Sequence, residues 1–309
     1  MKSNVRIGTR GSKLALWQAN HLADLLRQKH PGIEIELETI KTTGDRVLDR
    51  PLAEIGGKGL FVKEIEDALL SGRIDLAIHS LKDVPAELPP GLGLVTFLPR
   101  EDPRDALCVR GRKNLAELPE GAHVGTSSLR RQVQLKRARP DLRISPLRGN
   151  VDTRLRKLDD GEYDAIILAA AGLKRLGLDG QIGELVSTET MIPAVGQGIL
   201  AIEARLEDME TRHLLGPLND SEASKAARCE RALLAGMGGS CWLPMGAHAR
   251  QAAGGLLLTA FVSSIDGSCF LRHDATGTDP VHLGTETAEW LIGNGGRQLL
   301  KDIQDRHGN

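Results

Sequence analysis

Short apolar runs alternate with longer polar stretches of helical period along most of this chain. The clearest block is 123–176, where apolar runs at 123–124, 142–144 and 165–170 are separated by charged segments of helical spacing. That pattern predicts β-α-β-α-β. The N-terminal part has the same arrangement. A strand over 5–9 leads into a helix with Leu14, Trp17, His21, Leu22, Leu25 and Leu26 on one face, closed by Pro31 and Gly32. An alternating strand covers 33–40, a helix about 60–70, and a strand 74–80. Between them, 41–59 is charged, has no period and ends in Gly56-Gly57-Lys58-Gly59. A loop of that length in a compact domain is expected to be mobile and to carry function.

The two halves echo each other. The run from Ile7 through Gly8, Thr9, Arg10 and Gly11 to Ser12 precedes a helix, as does the run from Val124 through Gly125, Thr126 and Ser127 to Ser128. Gly72 and Asp75 precede one apolar strand at the spacing at which Gly161 and Asp164 precede another. Two similarly built α/β domains are expected, each pointing a Thr/Ser/Arg helix start at a small molecule between them. Crossovers are expected at 99–104 and 191–193, with the strand at 199–203 returning to the first domain to make a two-stranded hinge. After Gly216 and Pro217 the texture changes. Asp220 or Ser221 caps an alanine-rich helix to about Ala235. Apolar runs at 256–262 and 269–271, with 246–250 before them, are punctuated by the hairpin signals Gly254-Gly255 and Asp266-Gly267. They predict a three-stranded antiparallel sheet, followed by a glycine-weakened helix over about 286–304. The expected boundaries are 1–99 with 199–217 for domain 1, 100–198 for domain 2 and 218–309 for a small α+β domain 3.

Composition narrows the possibilities. The 309 residues suggest two or three domains with sizeable cores. No apolar run reaches the roughly 18 residues of a membrane span. The start, MKSNVRIGTRGS, lacks the apolar core of a signal peptide, so a cytoplasmic location is expected. Cys108, Cys229, Cys241 and Cys269 are scattered, with no CxxC and no histidine at ligand spacing, so neither a disulfide framework nor a metal site is expected. Aromatic residues make up 3% of the chain, too few to offer stacking platforms for single-stranded nucleic acid. Net charge is −1, yet 100–157 holds 15 Lys and Arg against 7 Asp and Glu. That local excess calls for an anionic partner or extensive hydration.

The candidate chemistry sits at the ends of the expected strands. Thr126, Ser127 and Ser128, followed by Arg130 and Arg131, make a carboxylate or phosphate receptor at a helix start. Arg148 follows the next strand, with Arg154 further on, and Arg175 follows the last. A solvated helix face accounts for Lys136, Arg137 and Arg139. It accounts less well for Arg130, Arg131 and Arg148, because open α/β sheets bind ligands at the carboxyl ends of their strands. Asp83, beside Lys82, follows the strand at 74–80. It is either a turn residue ahead of Pro85 or a catalytic group, and pattern alone leans to the turn. His79 reads as a satisfied core histidine. Cys229 and Cys269 read as small buried hydrophobes, whereas Cys241, on a glycine-rich loop with little to bury it, is open to a covalent role.

Six stretches together, IGTRGSKLALWQ (7–18), GGKGLF (56–61), HSLKDVP (79–85), GTSSLRR (125–131), LRGNV (147–151) and PAVGQG (193–198), resemble the porphobilinogen deaminase (hydroxymethylbilane synthase) family. The loop GGSC (238–241) fits it too, and the resemblance covers essentially the whole chain in order. It implies a transferase of tetrapyrrole (haem) biosynthesis that joins four porphobilinogen molecules head to tail and releases ammonia at each addition. It also implies a dipyrromethane cofactor held by a thioether at Cys241, and Asp83 as the carboxylate that steadies cationic pyrrole intermediates. By position, Lys82, Thr126, Ser127, Ser128, Arg130 and Arg131 would hold the cofactor. Arg10, Ser12, Arg148, Arg154, Arg175 and Gln197 would hold substrate, and Lys58 and Phe61 would lie on the mobile loop. Glu54 departs from the lysine common in the family, which affects any contact of that side chain but not the chemistry. A monomer without metal, nucleic acid or membrane partner is expected. The fold implied is two doubly wound α/β domains of the periplasmic-binding-protein type, joined by the hinge, plus the C-terminal α+β domain. That plan also admits a non-catalytic carboxylate binder of the solute-binding kind. The missing signal peptide and the Cys241 loop argue against it, and the basic stretch has no recognised nucleic-acid motif.

Overall fold

The computed structural model describes residues 2–46, 62–111, 113–238, 244–299 and 301. They divide into two compact units, Met1–Arg100 with Ile199–Ala227, and Glu101–Gly198 with Arg228–Asn309. Unit 1 begins with β1 (Asn4–Thr9), α1 (Lys13–Lys29), β2 (Glu34–Thr39), the short α2 (Thr43–Arg46), α3 (Lys63–Leu70), β3 (Leu76–Ser80) and β4 (Leu92–Phe97). Unit 2 takes up the chain with β5 (Asp105–Val109), β6 (His123–Gly125), α4 (Leu129–Ala138), β7 (Arg143–Ser145), α5 (Val151–Asp159), β8 (Ala165–Ala169), α6 (Ala170–Arg175) and β9 (Glu184–Val186). The chain then returns to unit 1 with β10 (Leu200–Arg205), α7 (Met209–Leu215) and the start of α8 (Ser221–Gly236). The end of α8, β11 (Met245–Ala252), β12 (Gly255–Ser263), β13 (Phe270–Gly277) and α9 (Pro280–Leu291) belong to unit 2.

The two five-stranded sheets share one plan. Their orders are β2-β1-β3-β10-β4 and β7-β6-β8-β5-β9. In each, the first three strands are parallel and the fourth runs antiparallel to the third. That fourth strand is the first one the chain lays down after crossing over: β5 after residue 100, β10 after residue 198. The α/β architecture with a separate three-stranded antiparallel sheet, β11-β12-β13, agrees with the sequence reading.

Both large sheets are covered on two faces, which is why their central strands read as continuous apolar runs. In unit 1, Val5, Ile7, Leu76, Ile78 and Ile202 pack under Ala19, Leu22, Ala23 and Leu26 of α1. Ala77 and Ile74 meet Ile65, Ala68 and Leu69 of α3 on the other side. In unit 2, Ala165 and Ile167 join Leu107, Val124 and Leu135, while Ile166 and Leu168 join Cys108, Leu155 and Leu173. The small α1 residues at 19 and 23 let that helix lie close on the sheet. The buried stripe is therefore rotated from the expected one, and Trp17 and His21 stack on its flank, ring centroids 4.9 Å apart. The third sheet packs on α4 through Phe261, Val133 and Ile192, with Arg137 4.4 Å above the Phe270 ring.

Other differences have local causes. β4, β5 and β9 are not singled out by the pattern; β9 has only three residues, and β4 does not alternate cleanly. The last helix begins at Pro280 rather than 286, because Asp279 caps it by accepting from the His282 N–H at 2.7 Å and proline suits the first turn. The glycines after it do break the helix: Gly295 has φ +118°, inside a kinked turn at 292–296. Asp220 accepts from the Ala223 N–H at 2.7 Å and so caps α8.

His79 is the satisfied core histidine expected. Its Nε2 lies 2.9 Å from Glu203 Oε2, on the neighbouring strand β10. Burial, together with the Glu203 charge, pushes the nearby Glu66 carboxyl on α3 up to about 7. Because the folded value exceeds the unfolded one of about 4.5, protonated Glu66 contributes stability that is complete below about pH 4.5 and lost as pH rises through about 7. Glu66→Gln should flatten that part of the stability–pH profile. Denaturant melts between pH 4.5 and 8 check this, and an unchanged slope would refute it.

Candidate active site

In unit 1 the expected site residues gather at the carboxyl ends of β1 and β3, adjacent parallel strands. Arg10 follows β1 directly. Ser12 caps α1, its Oγ accepting from the Ala15 N–H at 3.3 Å. Gln18 Nε2 donates to Ser80 Oγ at 2.9 Å and ties α1 to the end of β3. Lys82 and Asp83 then lie on a tight helical turn, Leu81–Asp83, closed by the Val84 N–H to the Leu81 carbonyl at 3.1 Å. A turn-forming aspartate normally spends its carboxylate on nearby backbone N–H groups. Here the backbone closes the turn, Asp83 is exposed, and among the described residues no hydrogen bond or ion pair engages its carboxylate.

In unit 2 the carboxyl ends of β7, β6 and β8 lie side by side. After β6, Thr126 Oγ1 accepts from the Ser128 N–H at 3.2 Å, and Ser127 Oγ donates to the Leu147 carbonyl at 2.9 Å. After β7, Arg148 precedes Gly149, whose φ of +108° suits glycine. Arg154 on α5 reaches back, Nε to the Gly149 carbonyl at 2.6 Å. Arg175 ends α6 and donates from Nη2 to the Gly198 carbonyl at 2.7 Å; burial lowers its pKa to about 10.

Arg130 and Arg131 are buried in the first turn of α4 and converge on Asp105, the first residue of β5, which has no exposed surface. Arg130 Nη1 lies 2.7 Å from Asp105 Oδ2 and donates to the Ile192 carbonyl at 2.7 Å. Arg131 donates to Asp105 Oδ1 from Nη2 at 2.7 Å and Nε at 3.0 Å, and from Nη1 to the Ile167 carbonyl at 2.9 Å. Burial alone would raise the Asp105 pKa, but the two guanidinium charges outweigh it and hold the carboxyl well below its usual range. Breaking such a buried pair typically costs about 3–5 kcal/mol. Gln197, also without exposed surface, donates from Nε2 to Asp105 Oδ1 at 3.1 Å and to the Pro103 carbonyl at 2.7 Å. Glu230 on α8 accepts from the Gly196 N–H at 2.6 Å and the Ala249 N–H at 2.8 Å, pinning the 194–198 loop to β11.

Asp105 and Glu230 escaped the sequence reading. Each left a signal there: an acid opening the apolar run DALCV, and an acid in the buried stripe Ala223, Ala226, Ala227 and Leu233 of α8. Cys241, Lys58, Phe61 and Glu54 lie outside the described residues. The other cysteines include two buried thiols, Cys108 and Cys229, both pushed up to about 12 by burial. The donor set of unit 2 suits a ligand rich in carboxylates: two buried guanidiniums share one acid, and further arginines follow β7 and β8. Among the described residues no group of acids, histidines and cysteines could hold a metal, and no helix is long and apolar enough to cross a membrane.

Comparison with known proteins agrees with this chemistry. The profile described as porphobilinogen deaminase, dipyromethane cofactor binding domain, matches residues 5–213, and the one described as porphobilinogen deaminase, C-terminal domain, matches 224–293. The porphobilinogen deaminase of Trichlorobacter lovleyi is 51% identical over 304 residues, covering 98% of this chain and 97% of that protein. That of Roseiflexus sp. is 54% identical over 301 residues, covering 97% and 99%. Among solved structures, the periplasmic VFT2 domain of Bordetella pertussis BvgS aligns at a TM-score of 0.41 and 14% identity, over 69% of this chain and 85% of that one. With both profiles matched in order along nearly all its length, and half its residues shared with these relatives, the chain belongs to the porphobilinogen deaminase family.

Proposed function

We propose the following division of the family's reaction among the residues of this chain. The activity is that of a transferase joining four porphobilinogen molecules, with ammonia released at each addition and water then releasing the chain as hydroxymethylbilane. The dipyrromethane cofactor, when bound, supplies the free pyrrole carbon to which the first substrate is joined. Each porphobilinogen loses its aminomethyl nitrogen as ammonia, leaving a methylene-pyrrole cation. A new carbon–carbon bond forms at that methylene, and the attacked ring gives up its α-proton.

Asp83 serves this step. Its carboxylate stabilises the transient cation and takes part in moving the proton, the kind of electrostatic assistance that often dominates catalysis. The observation that carries this role is the exposed Asp83 carboxylate at a strand end, engaged by no other described residue although its turn is complete without it. Arg130, Arg131, Lys82 and the hydroxyls of Thr126, Ser127 and Ser128 serve the cofactor. Arg10, Arg148, Arg154 and Arg175 receive the acetate and propionate groups of substrate. Charge-assisted hydrogen bonds of about 1.5–3 kcal/mol each are enough to retain intermediates between additions. Ser12, as the α1 cap, and Gln197, buried against Asp105, support substrate binding by holding neighbouring groups. Lys58 and Phe61, outside the described residues, are read as part of the loop expected to carry function.

Cys241 is the attachment point. The thiolate is the nucleophilic form of cysteine, and burial keeps Cys108 and Cys229 protonated at neutral pH. Buried free thiols also suit a reducing compartment, which supports a cytoplasmic location. The C-terminal segment 218–309, with its own sheet, is read as a third domain carrying that cysteine, and the protein as a monomer. Light scattering at the mass of one chain checks the last point; a dimer would refute it.

Intact mass of the purified protein should exceed the sequence mass by two pyrrole units, and Cys241→Ser should remove the excess. An adduct mapped to Cys108, Cys229 or Cys269 would rule out this assignment. Asp83→Asn keeps the side-chain shape and loses the charge. It should leave the melting temperature near wild type and lower the steady-state rate of hydroxymethylbilane formation by on the order of 100-fold or more. Asp83→Glu should recover part of that rate. Turnover of Asp83→Asn within a few-fold of wild type would make Asp83 a turn residue after all.

A further inference from the structure

Two adjacent arginines in the first turn of a helix defy local electrostatics. The helix dipole puts partial positive charge at that end, and α4 has no acidic residue in its first turn. Both guanidiniums are nevertheless buried, and among the described residues Asp105 is the one acid paired with either. Two cations and one carboxylate leave one positive charge uncompensated inside the protein. Carbonyls of Ile192 and Ile167 absorb part of the donor capacity. Each guanidinium has five N–H groups, so donors remain on both. Such a violation of local preference is expected at a functional site.

We infer that Asp105 is a positioning residue of the cofactor site, splitting its two oxygens between Arg130 and Arg131 so that the pair stands ready to receive one carboxylate. The inference rests on the reading of these arginines as cofactor-binding. Asp105 is itself held by Gln197 Nε2, and the loop carrying Gln197 is pinned by Glu230, on the helix that ends at Gly236, five residues before Cys241. A continuous set of hydrogen bonds thus runs from the receptor to the helix leading into the attachment loop: Arg131–Asp105–Gln197, then the peptide to Gly196, then Glu230. It sets the receptor in register with that helix. Cofactor capture needs this alignment before any turnover, so the defect is expected in loading.

Asp105→Asn keeps one acceptor oxygen and turns an NH₂ group toward the other arginine, which is then pushed out of place. The apo-protein should fold but, incubated with porphobilinogen, should reach less than about one tenth of wild-type cofactor occupancy by intact mass. This is the sign expected when a buried charge loses its partner. Leu142→Ala, a fully buried core change in an apolar cluster of the same unit, should lower the melting temperature and leave occupancy intact. If Asp105→Asn is insoluble, Gln197→Met decides, since it removes one bond to Asp105 and leaves the charges; loading should slow several-fold. Wild-type loading by Asp105→Asn, or by Gln197→Met where that variant decides, overturns the inference. So does equal loss of cofactor in Leu142→Ala, which would mark a general effect of instability. Arg131→Leu separates the two levels. If it loads normally, the cofactor role of the arginines is wrong; if it stays empty while Asp105→Asn fills, only the positioning role is wrong.

Discussion

A carboxylate with no access to water must find cations or give up its charge, and Asp105 meets that condition with two. Much of unit 2 is arranged to make this possible. β5 begins at Asp105, β8 offers the Ile167 carbonyl to Arg131, and the segment after β9 offers the Ile192 carbonyl to Arg130. Helix α4 is held from behind by the third sheet through Val133, Phe261 and the Arg137–Phe270 contact. The apolar and ionic contacts therefore fix the same helix, and Ile192 takes part in both, its side chain in the apolar cluster and its carbonyl accepting from Arg130.

The repeated sheet plan explains why the chemistry falls at strand ends. In both units three parallel strands carry their carboxyl ends to one edge. The antiparallel fourth strand closes each core without adding a loop to that edge between the parallel strands. Unit 1 places the exposed Asp83 and Lys82 at such an edge, whereas unit 2 places arginines at its own.

The basic excess between 100 and 157 is smaller in space than along the chain. Arg104 is paired with Asp102 at 2.7 Å, Arg139 with Asp141 at 2.7 Å, and the Arg130–Arg131 pair shares Asp105. Lys136 reaches the Leu142 carbonyl, as a solvated helix face with local bonding would.

The sequence by itself determined the class of fold, because strands covered on both faces must be continuous apolar runs and helices against them must show a stripe. The echo between 7–12 and 124–128, the hairpin glycines and the Asp220 cap were read in the sequence, since each depends on residues near in the chain; the Asp279 cap of α9 was as local but was missed. The family, too, was legible in short motifs. Tertiary structure alone decided what those motif residues touch. Nothing near Arg130 and Arg131 in sequence marks Asp105, 25 residues earlier, as their shared partner, and nothing near Gly196 marks Glu230. The sequence likewise does not show that the Leu81–Val84 turn closes through its backbone, with the Asp83 carboxylate engaged by no other described residue. The rotated stripe of α1 also followed from which of its faces meets the sheet. Local patterns record the period and ends of an element, whereas the pairing of buried charges depends on which distant segments the fold brings within about 3 Å.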